Sequence, residues 1–467
     1  MVPFLICIGA LAFLMFVAYR GFSVILFAPV AALGAVLLTQ PSAVLPIYSG
    51  LFMAKMVVFV QNYFPAFMLG ALFGKVIELS GFAASIVSAV IRLFGKASAM
   101  FCIVVVCALL TYFGVSLFVV VFAVYPFAAE MFRESGIPKR LIPGTIALGS
   151  FTFTMDSLPG TPQIQNIIPT TYFKTNLYAA PVLGSLGAVY ILILGMLYLE
   201  WMRRRALRAG EGYGTGHINE MPPAESGKQV HWFVALLPLL TVGVANFIFT
   251  RQLPKVYGGL DAVAKIQLTP KGDVVSQAVK TYLGIWAVEA ALVLGIIVVV
   301  IFSFRTLAGK FADGSKSAIA GALLASINTA SEYGFGSVIA ALPGFLIVRD
   351  ALARIPNPLV NAALSVNILA GITGSASGGM GIALAAMAQN FIAAANAHGI
   401  PLEVLHRVSA MASGGMDTLP HNGAVITLLA VTGLTHRQSY KDIFAVTCIK
   451  TSAVFVVIAL YYLTHLV

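Results

Sequence analysis

The chain has 467 residues, of which 59% are hydrophobic and only 10% charged, and its mean hydropathy is +0.94. A soluble globular domain carries roughly a quarter of its residues as Asp, Glu, Lys and Arg, so this composition excludes one and demands lipid as solvent. The formal net charge of +11 is assigned to loops facing the cytoplasm and anionic lipid. No nucleic-acid partner is expected, because no basic patch with interleaved aromatics occurs.

The first apolar stretch, 3–19, begins almost at Met1 with neither a basic leader nor a small-residue cleavage site, and is expected to be a retained membrane helix. Apolar spans follow at 22–39, 50–78, 180–201, 232–250, 282–303, 317–342 and 442–464, each about long enough for a ~30 Å hydrocarbon core. The shorter stretches 82–94 and 344–355 end in charge and are expected to lie along the membrane surface. Cys7, Cys102, Cys107 and Cys448 all fall in apolar segments without metal-type spacing, so they are read as small packing residues; no metal or cofactor is expected. The fold class is an all-α polytopic membrane protein.

Four segments depart from simple spans. Residues 98–132 and 358–396 are apolar but too long for one crossing, and each is interrupted, at Tyr112-Phe113-Gly114-Val115-Ser116 and at Thr373-Gly374-Ser375-Ala376-Ser377-Gly378-Gly379. Residues 139–175 carry Met155-Asp156-Ser157-Leu158-Pro159, and residues 402–434 carry Met416-Asp417-Thr418-Leu419-Pro420. These sister motifs have company: Phe73-Gly74 returns as Phe335-Gly336, and Gly136-Ile137-Pro138 as Gly399-Ile400-Pro401. The three offsets, 261 to 263 residues, are colinear, which makes the chain a duplication.

Basic residues near span ends set the orientation. Arg203, Arg204, Arg205 and Arg208 place the end of 180–201 in the cytoplasm, as Arg20, Arg92, Lys96, Arg305, Lys310, Lys316, Arg437 and Lys441 do for their neighbours. Lys96, Arg133, Lys139 and Arg140 then share one side, so 98–132 is a re-entrant hairpin; 358–396 is a second hairpin entering from the opposite face, and the halves are inverted. Loop 251–280 must be external despite Arg251, Lys255, Lys265, Lys271 and Lys280, which a longer loop tolerates. The expected organisation is a first repeat 1–201 (scaffold about 1–80, transport hairpin and broken helix about 98–175), a cytoplasmic linker 202–231, and a second repeat 232–467 (scaffold about 232–342, transport hairpin and broken helix about 358–434).

Broken backbone inside a bilayer leaves N–H and C=O groups that protein, water, ion or substrate must satisfy, at several kcal/mol per unmet group. Four breaks converging at the midplane suit a secondary transporter, in which helix N-termini attract an anion and freed carbonyls coordinate a cation. Gly114, Ser116, Ser375 and Ser377 supply close approach and hydroxyls; the alternative is close helix packing through small residues. Asp156 and Asp417 either titrate in a cavity or cap the half-helix that follows. Beyond the motif the copies diverge, Gly160-Thr161-Pro162-Gln163 standing against His421-Asn422-Gly423-Ala424, as if one asymmetric ligand were read from both sides. A polar run, Ser326, Asn328, Thr329, Ser331 and Glu332, replaces Phe64, Ala66, Phe67, Leu69 and Gly70 of the first half. Glu332 is thus a further ionisable candidate, or a hydrogen-bond partner for a neighbouring helix.

The stretches 149–162 and Ala412-Ser413-Gly414-Gly415-Met416-Asp417-Thr418-Leu419-Pro420-His421-Asn422-Gly423 resemble the gluconate permease family of the ion transporter superfamily, especially its hydroxybutyrate permease branch, over essentially the whole chain. That resemblance implies import of a small hydroxy-carboxylate through a bacterial inner membrane, driven by an ion gradient, commonly protons. It also implies a homodimer whose transport domain moves like an elevator. The expected site is Ser375, Ser377, Thr418, His421 and Asn422 with Gly114, Ser116, Thr161 and Gln163 for the substrate, and Asp156, Asp417 and Glu332 for proton or sodium. An organic-acid exchanger is the nearest alternative. A channel would need a continuous polar pore, and an intramembrane enzyme a Ser-His or metal-ligand constellation, which is not found at convincing spacing.

Overall fold

Lipid offers a backbone no hydrogen bonds, and the chain answers almost wholly with helix. The computed structural model describes residues 2–20, 22–95, 98–115, 117–217, 230–267, 269, 273–347, 355–420 and 422–467. Ser116, His421, linker residues 218–229 and residues 348–354 of the stretch 344–355 lie outside the described residues.

The first half runs α1 (Val2–Tyr19), α2 (Val24–Thr39), α3 (Pro41–Leu79) and the short α4 (Phe82–Phe94). A hairpin of α5 (Ala99–Tyr112) and α6 (Leu117–Glu134) follows. The broken helix is α7 (Ile142–Ser150), a single turn α8 (Phe153–Asp156) and α9 (Ile164–Phe173), before α10 (Pro181–Arg208). The second half repeats this order: α11 (Trp232–Val256), α12 (Val279–Leu307) and α13 (Phe311–Ala341); hairpin α14 (Pro358–Thr373) and α15 (Ala376–Ala397); broken helix α16 (Leu402–Ser413), a 3₁₀ turn (Met416–Thr418) and α17 (Gly423–Thr432); then α18 (His436–Thr464). Among the described residues, six helices are long and apolar enough to cross a membrane: α3, α10, α11, α12, α15 and α18.

Exposure on these helices is what lipid selects. On α10, Leu186, Val189, Ile193 and Leu197 are exposed at helical spacing while Leu183, Ile191 and Leu199 are buried. Loop 251–280 holds a two-stranded antiparallel ribbon, β1 (Val263–Ile266) with β2 (Val275–Ala278), an element the charged sequence did not announce.

Helix pairings come in matched sets. α3 packs along its counterpart α13, and α10 along α18. Each hairpin's first arm packs on the first arm of its own broken helix, α5 on α7 and α14 on α16. The resumed half-helices cross over instead: α9 packs on α15 of the second hairpin, and α17 on α6 of the first. The hairpins and broken helices are therefore interlocked between halves.

Small residues permit this closeness. A Cβ added at Gly149 would stand 2.5 Å from Cys107 Cβ and 2.6 Å from the Val104 carbonyl oxygen. Cys102 and Cys107 are buried in the hairpin as packing residues, whereas Cys448 is exposed. Beyond the membrane, Arg140 donates twice to Glu211 at the start of the linker (2.7 and 2.9 Å) and once to Asp442 (3.2 Å). The guanidinium holds the Glu211 carboxyl below its ordinary range.

Gly149→Val should overpack the α5–α7 contact, costing about 1–3 kcal/mol and lowering the thermal midpoint of the purified protein. Gly34→Ala, with nothing within 4 Å of the new Cβ, should leave that midpoint unchanged; equal behaviour of the two variants would refute the packing assignment.

Candidate functional site

A helix that resumes after a break presents unpaired N–H groups, and in both halves the residue preceding it supplies an amide side chain. Gln163 precedes α9, and its Nε2 donates to the carbonyls of Thr111 (2.7 Å) and Val115 (3.3 Å) at the tip of the first hairpin. Asn422 precedes α17; its Nδ2 donates to the Gly374 carbonyl (2.7 Å) at the tip of the second hairpin, while its Oδ1 accepts from Val425 N (2.9 Å). Each hairpin is thus tethered to the break of its own half. The pairing corrects the linear register: Asn422 matches Gln163, not Thr161, because Gly160-Thr161-Pro162 stands where the second half has only His421. It also corrects the capping reading of the acids, since Asn422 caps its half-helix and neither Asp156 nor Asp417 does.

The tips are shorter than the sequence indicated. Thr373 still belongs to α14, Gly374 takes the left-handed conformation (φ 64°), and Ser375 already caps α15, its hydroxyl accepting from Gly378 N (3.1 Å). Gly114 makes the matching left-handed turn (φ 97°) against Pro162.

Between breaks, tips and the α3–α13 pair lies a cavity of about 750 Å³. Gly114 and Gln163 line it from the first half; Ser375, Ser377, Asp417, Thr418 and Asn422 line it from the second, with Glu332 contributed by α13. Thr161 and Asp156 are buried outside its lining. The N-termini of α9, α15 and α17 all open into it. Two carbonyl-type side-chain oxygens there, Glu332 Oε2 and Gln165 Oε1, are buried and have no hydrogen-bond partner among the described residues. Glu332 stands against Gly378 in the first turn of α15, where a side chain on the glycine would collide with its carboxylate.

The cavity reaches Lys75 and Glu78 near the end of α3, and Ser317 and Gly321 near the start of α13. Ser317 and Glu332 are separated by about 22 Å of helix at ~1.5 Å per residue. Outside the lining, two hydroxyl contacts join α9 to α3 and α13, Tyr63 with Thr171 (2.6 Å) and Tyr172 donating to Tyr333 (2.7 Å).

Behind the cavity lie two buried cations. Arg407, fully buried on α16, donates to the carbonyls of Asp156 (2.9 Å), Ala179 (2.8 and 3.1 Å) and Leu177 (3.3 Å), and to Asn166 Oδ1 (3.1 Å). It thereby satisfies the frayed backbone of the other half. His406 donates from Nε2 to the same Asn166 oxygen (3.1 Å) and accepts at Nδ1 from Thr175 (2.6 Å). Lys450, on α18, pairs with Asp417 (2.5 Å). The Asp156 carboxylate accepts from Ser157 (2.8 Å) and fits against Gly414. The sequence reading missed Arg407 and Lys450, although a cation at bilayer depth is as costly as an acid and signals a site equally well.

This architecture, with a cavity of mixed polar and apolar lining at the meeting of two broken helices and two hairpins, defines a multi-pass membrane transporter. The chain belongs to the family of the uncharacterized transporter YxjC of Bacillus subtilis (strain 168): the two are 58% identical over 474 residues, covering 99% of each. No family model matches the sequence. Among solved structures, MtrF of Neisseria gonorrhoeae, of a class of antimetabolite efflux pumps, aligns over 88% of this chain and 83% of its own with a TM-score of 0.52 at 13% identity, a likeness of fold alone. The YdaH transporter of Alcanivorax borkumensis aligns over 88% of both chains at 14% identity with a TM-score of 0.48.

Asn422→Ala removes both a cap and a tether and should cost about 1–2 kcal/mol. Limited proteolysis should show it as faster cleavage near 374–375; protection equal to wild type would mean that the tether does not hold the tip.

Proposed function

We propose that the protein is a proton-coupled symporter that imports a small hydroxy-carboxylate, such as 3-hydroxybutyrate or a gluconate-like acid, into the bacterial cytoplasm. The observation that carries this reading is the convergence of three helix N-termini on one cavity beside the buried carboxylate of Glu332, whose Oε2 has no hydrogen-bond partner among the described residues. Partial positive charge at helix N-termini favours an organic anion. Ser375, Ser377, Thr418, Asn422 and Gln163 supply hydroxyl and amide partners for its carboxylate and hydroxyl groups. Gly114 admits it to the backbone; Thr161 is buried outside the lining, and Ser116 and His421 lie outside the described residues.

Glu332 gives the coupling a physical basis. It stands at the N-terminus of α15, where the substrate anion would also be drawn. Two anions cannot share a low-dielectric cavity without a counter-charge. A proton taken up by Glu332 makes room for the substrate's charge, and the pair is carried together. Asp417 is less suited to this exchange, being already paired with Lys450.

Basic residues Arg20, Lys310 and Lys316 favour a cytoplasmic side for the end of the cavity at Lys75 and Ser317, which makes the conformation inward-open with the tyrosine contacts on the outer side. In an elevator movement the hairpins and broken helices slide along the α3–α13 scaffold, breaking Tyr63–Thr171 and Tyr172–Tyr333. The gluconate permease resemblance favours this cycle and a homodimeric assembly.

Proteoliposomes should accumulate labelled 3-hydroxybutyrate under an imposed proton gradient, with unlabelled gluconate competing and a sodium gradient alone ineffective. No uptake under either gradient would refute the substrate class. Glu332→Gln should lose accumulation yet retain counterflow exchange; full proton-driven accumulation by this variant would remove Glu332 from the coupling step.

A further inference from the structure

The crossing of the two broken helices carries a cation of its own. Lys450 is 2% exposed on α18, and its ammonium donates to Asp417 Oδ1 (2.5 Å) in the second break and to the Phe151 carbonyl (3.1 Å) in the first. Phe151 is the residue at which α7 ends, so its carbonyl belongs to the group that the break frees. Asp156 also lies within electrostatic reach of Lys450. Phe151, Met155 and Asp417 line the cavity, and the ammonium stands directly behind them.

One carboxylate, one freed main-chain carbonyl and a second carboxylate nearby form an oxygen-rich set of the kind that holds a small monovalent cation where transporter helices unwind. Here a covalently attached ammonium takes that place, with the same charge and no route of departure. The feature is confined to one half: the stretch of α10 one repeat earlier, Gly187-Ala188-Val189, has no cation. Charge at the crossing is balanced within the protein, Asp156 and Asp417 against Lys450 and Arg407, while Arg407 is occupied by backbone carbonyls.

We propose that Lys450 is a built-in counter-cation occupying the place that an exchangeable sodium ion would take at the crossing of the two breaks, so that this crossing binds no sodium. The consequence for coupling rests on the symport reading above: with Asp417 permanently neutralised, ion exchange is left to Glu332. The occupancy itself is testable without transport.

The test is thermal unfolding of the purified full-length protein in sodium, potassium and choline chlorides at matched ionic strength. Wild type should show the same midpoint in all three. Lys450→Ala should unfold at a lower temperature and be restored, saturably, by sodium or methylammonium but not by choline. Asp417→Asn combined with Lys450→Met removes both charges together and should fold without responding to any cation. Sodium-specific stabilisation of wild type overturns the proposal, as does a folded Lys450→Ala protein indifferent to small cations. Should Lys450→Ala not fold, the wild-type comparison decides alone: a sodium-specific rise overturns the proposal and its absence upholds it. Lack of 3-hydroxybutyrate uptake alongside a sodium-insensitive midpoint would sink the substrate assignment and leave the built-in cation standing.

Discussion

Backbone carbonyls and amides released where a helix breaks inside a bilayer have no water to turn to, and the structure is organised around satisfying them. Arg407 spreads one guanidinium across the carbonyls of Asp156, Leu177 and Ala179, a planar fan of donors that a lysine could not reproduce. Lys450 takes the Phe151 carbonyl. Gln163 and Asn422 serve the hairpin tips. Two of the side-chain oxygens left without a partner among the described residues, Glu332 Oε2 and Gln165 Oε1, belong to residues that line the cavity, where a ligand can complete them.

The frame is duplicated but the charges are not. α3 and α13 are repeat partners, yet only α13 carries the polar run ending at Glu332, and Gly70 stands at the equivalent position of α3. Arg407 and Lys450 likewise occur only in the second half, and each reaches across to stabilise the first. A duplicated frame gives two interlocked breaks; asymmetric charge gives one oriented cavity rather than two equivalent ones.

Much of this was legible in the sequence. Glycine pairs and Leu-Pro steps inside long apolar runs betray breaks because lipid leaves few other reasons for them; 98–132 and 358–396 fold as helix–turn–helix pairs, and 139–175 and 402–434 as interrupted helices. Cooperation between side chains was not legible. Basic residues were read for orientation at span ends, which passed over Lys450 and Arg407 within spans. The equivalence of Gln163 and Asn422 was hidden by two extra residues between Pro159 and the N-cap, and only the shared tether to a hairpin tip reveals it. The repeated motif marks Asp156 for ion coupling, whereas folding buries it behind the cavity against Gly414. The β1–β2 ribbon escaped notice because its strands are only four residues long, mostly exposed and without sustained alternation.

The most direct test of the account is a cryo-electron microscopy map of the protein in lipid nanodiscs saturated with 3-hydroxybutyrate. The account predicts ligand density in the central cavity, its carboxylate within hydrogen-bond distance of the N-termini at Ser375 and Asn422 and its body beside Glu332. Density only at the protein surface, or a cavity left with water alone at saturating ligand, would contradict it.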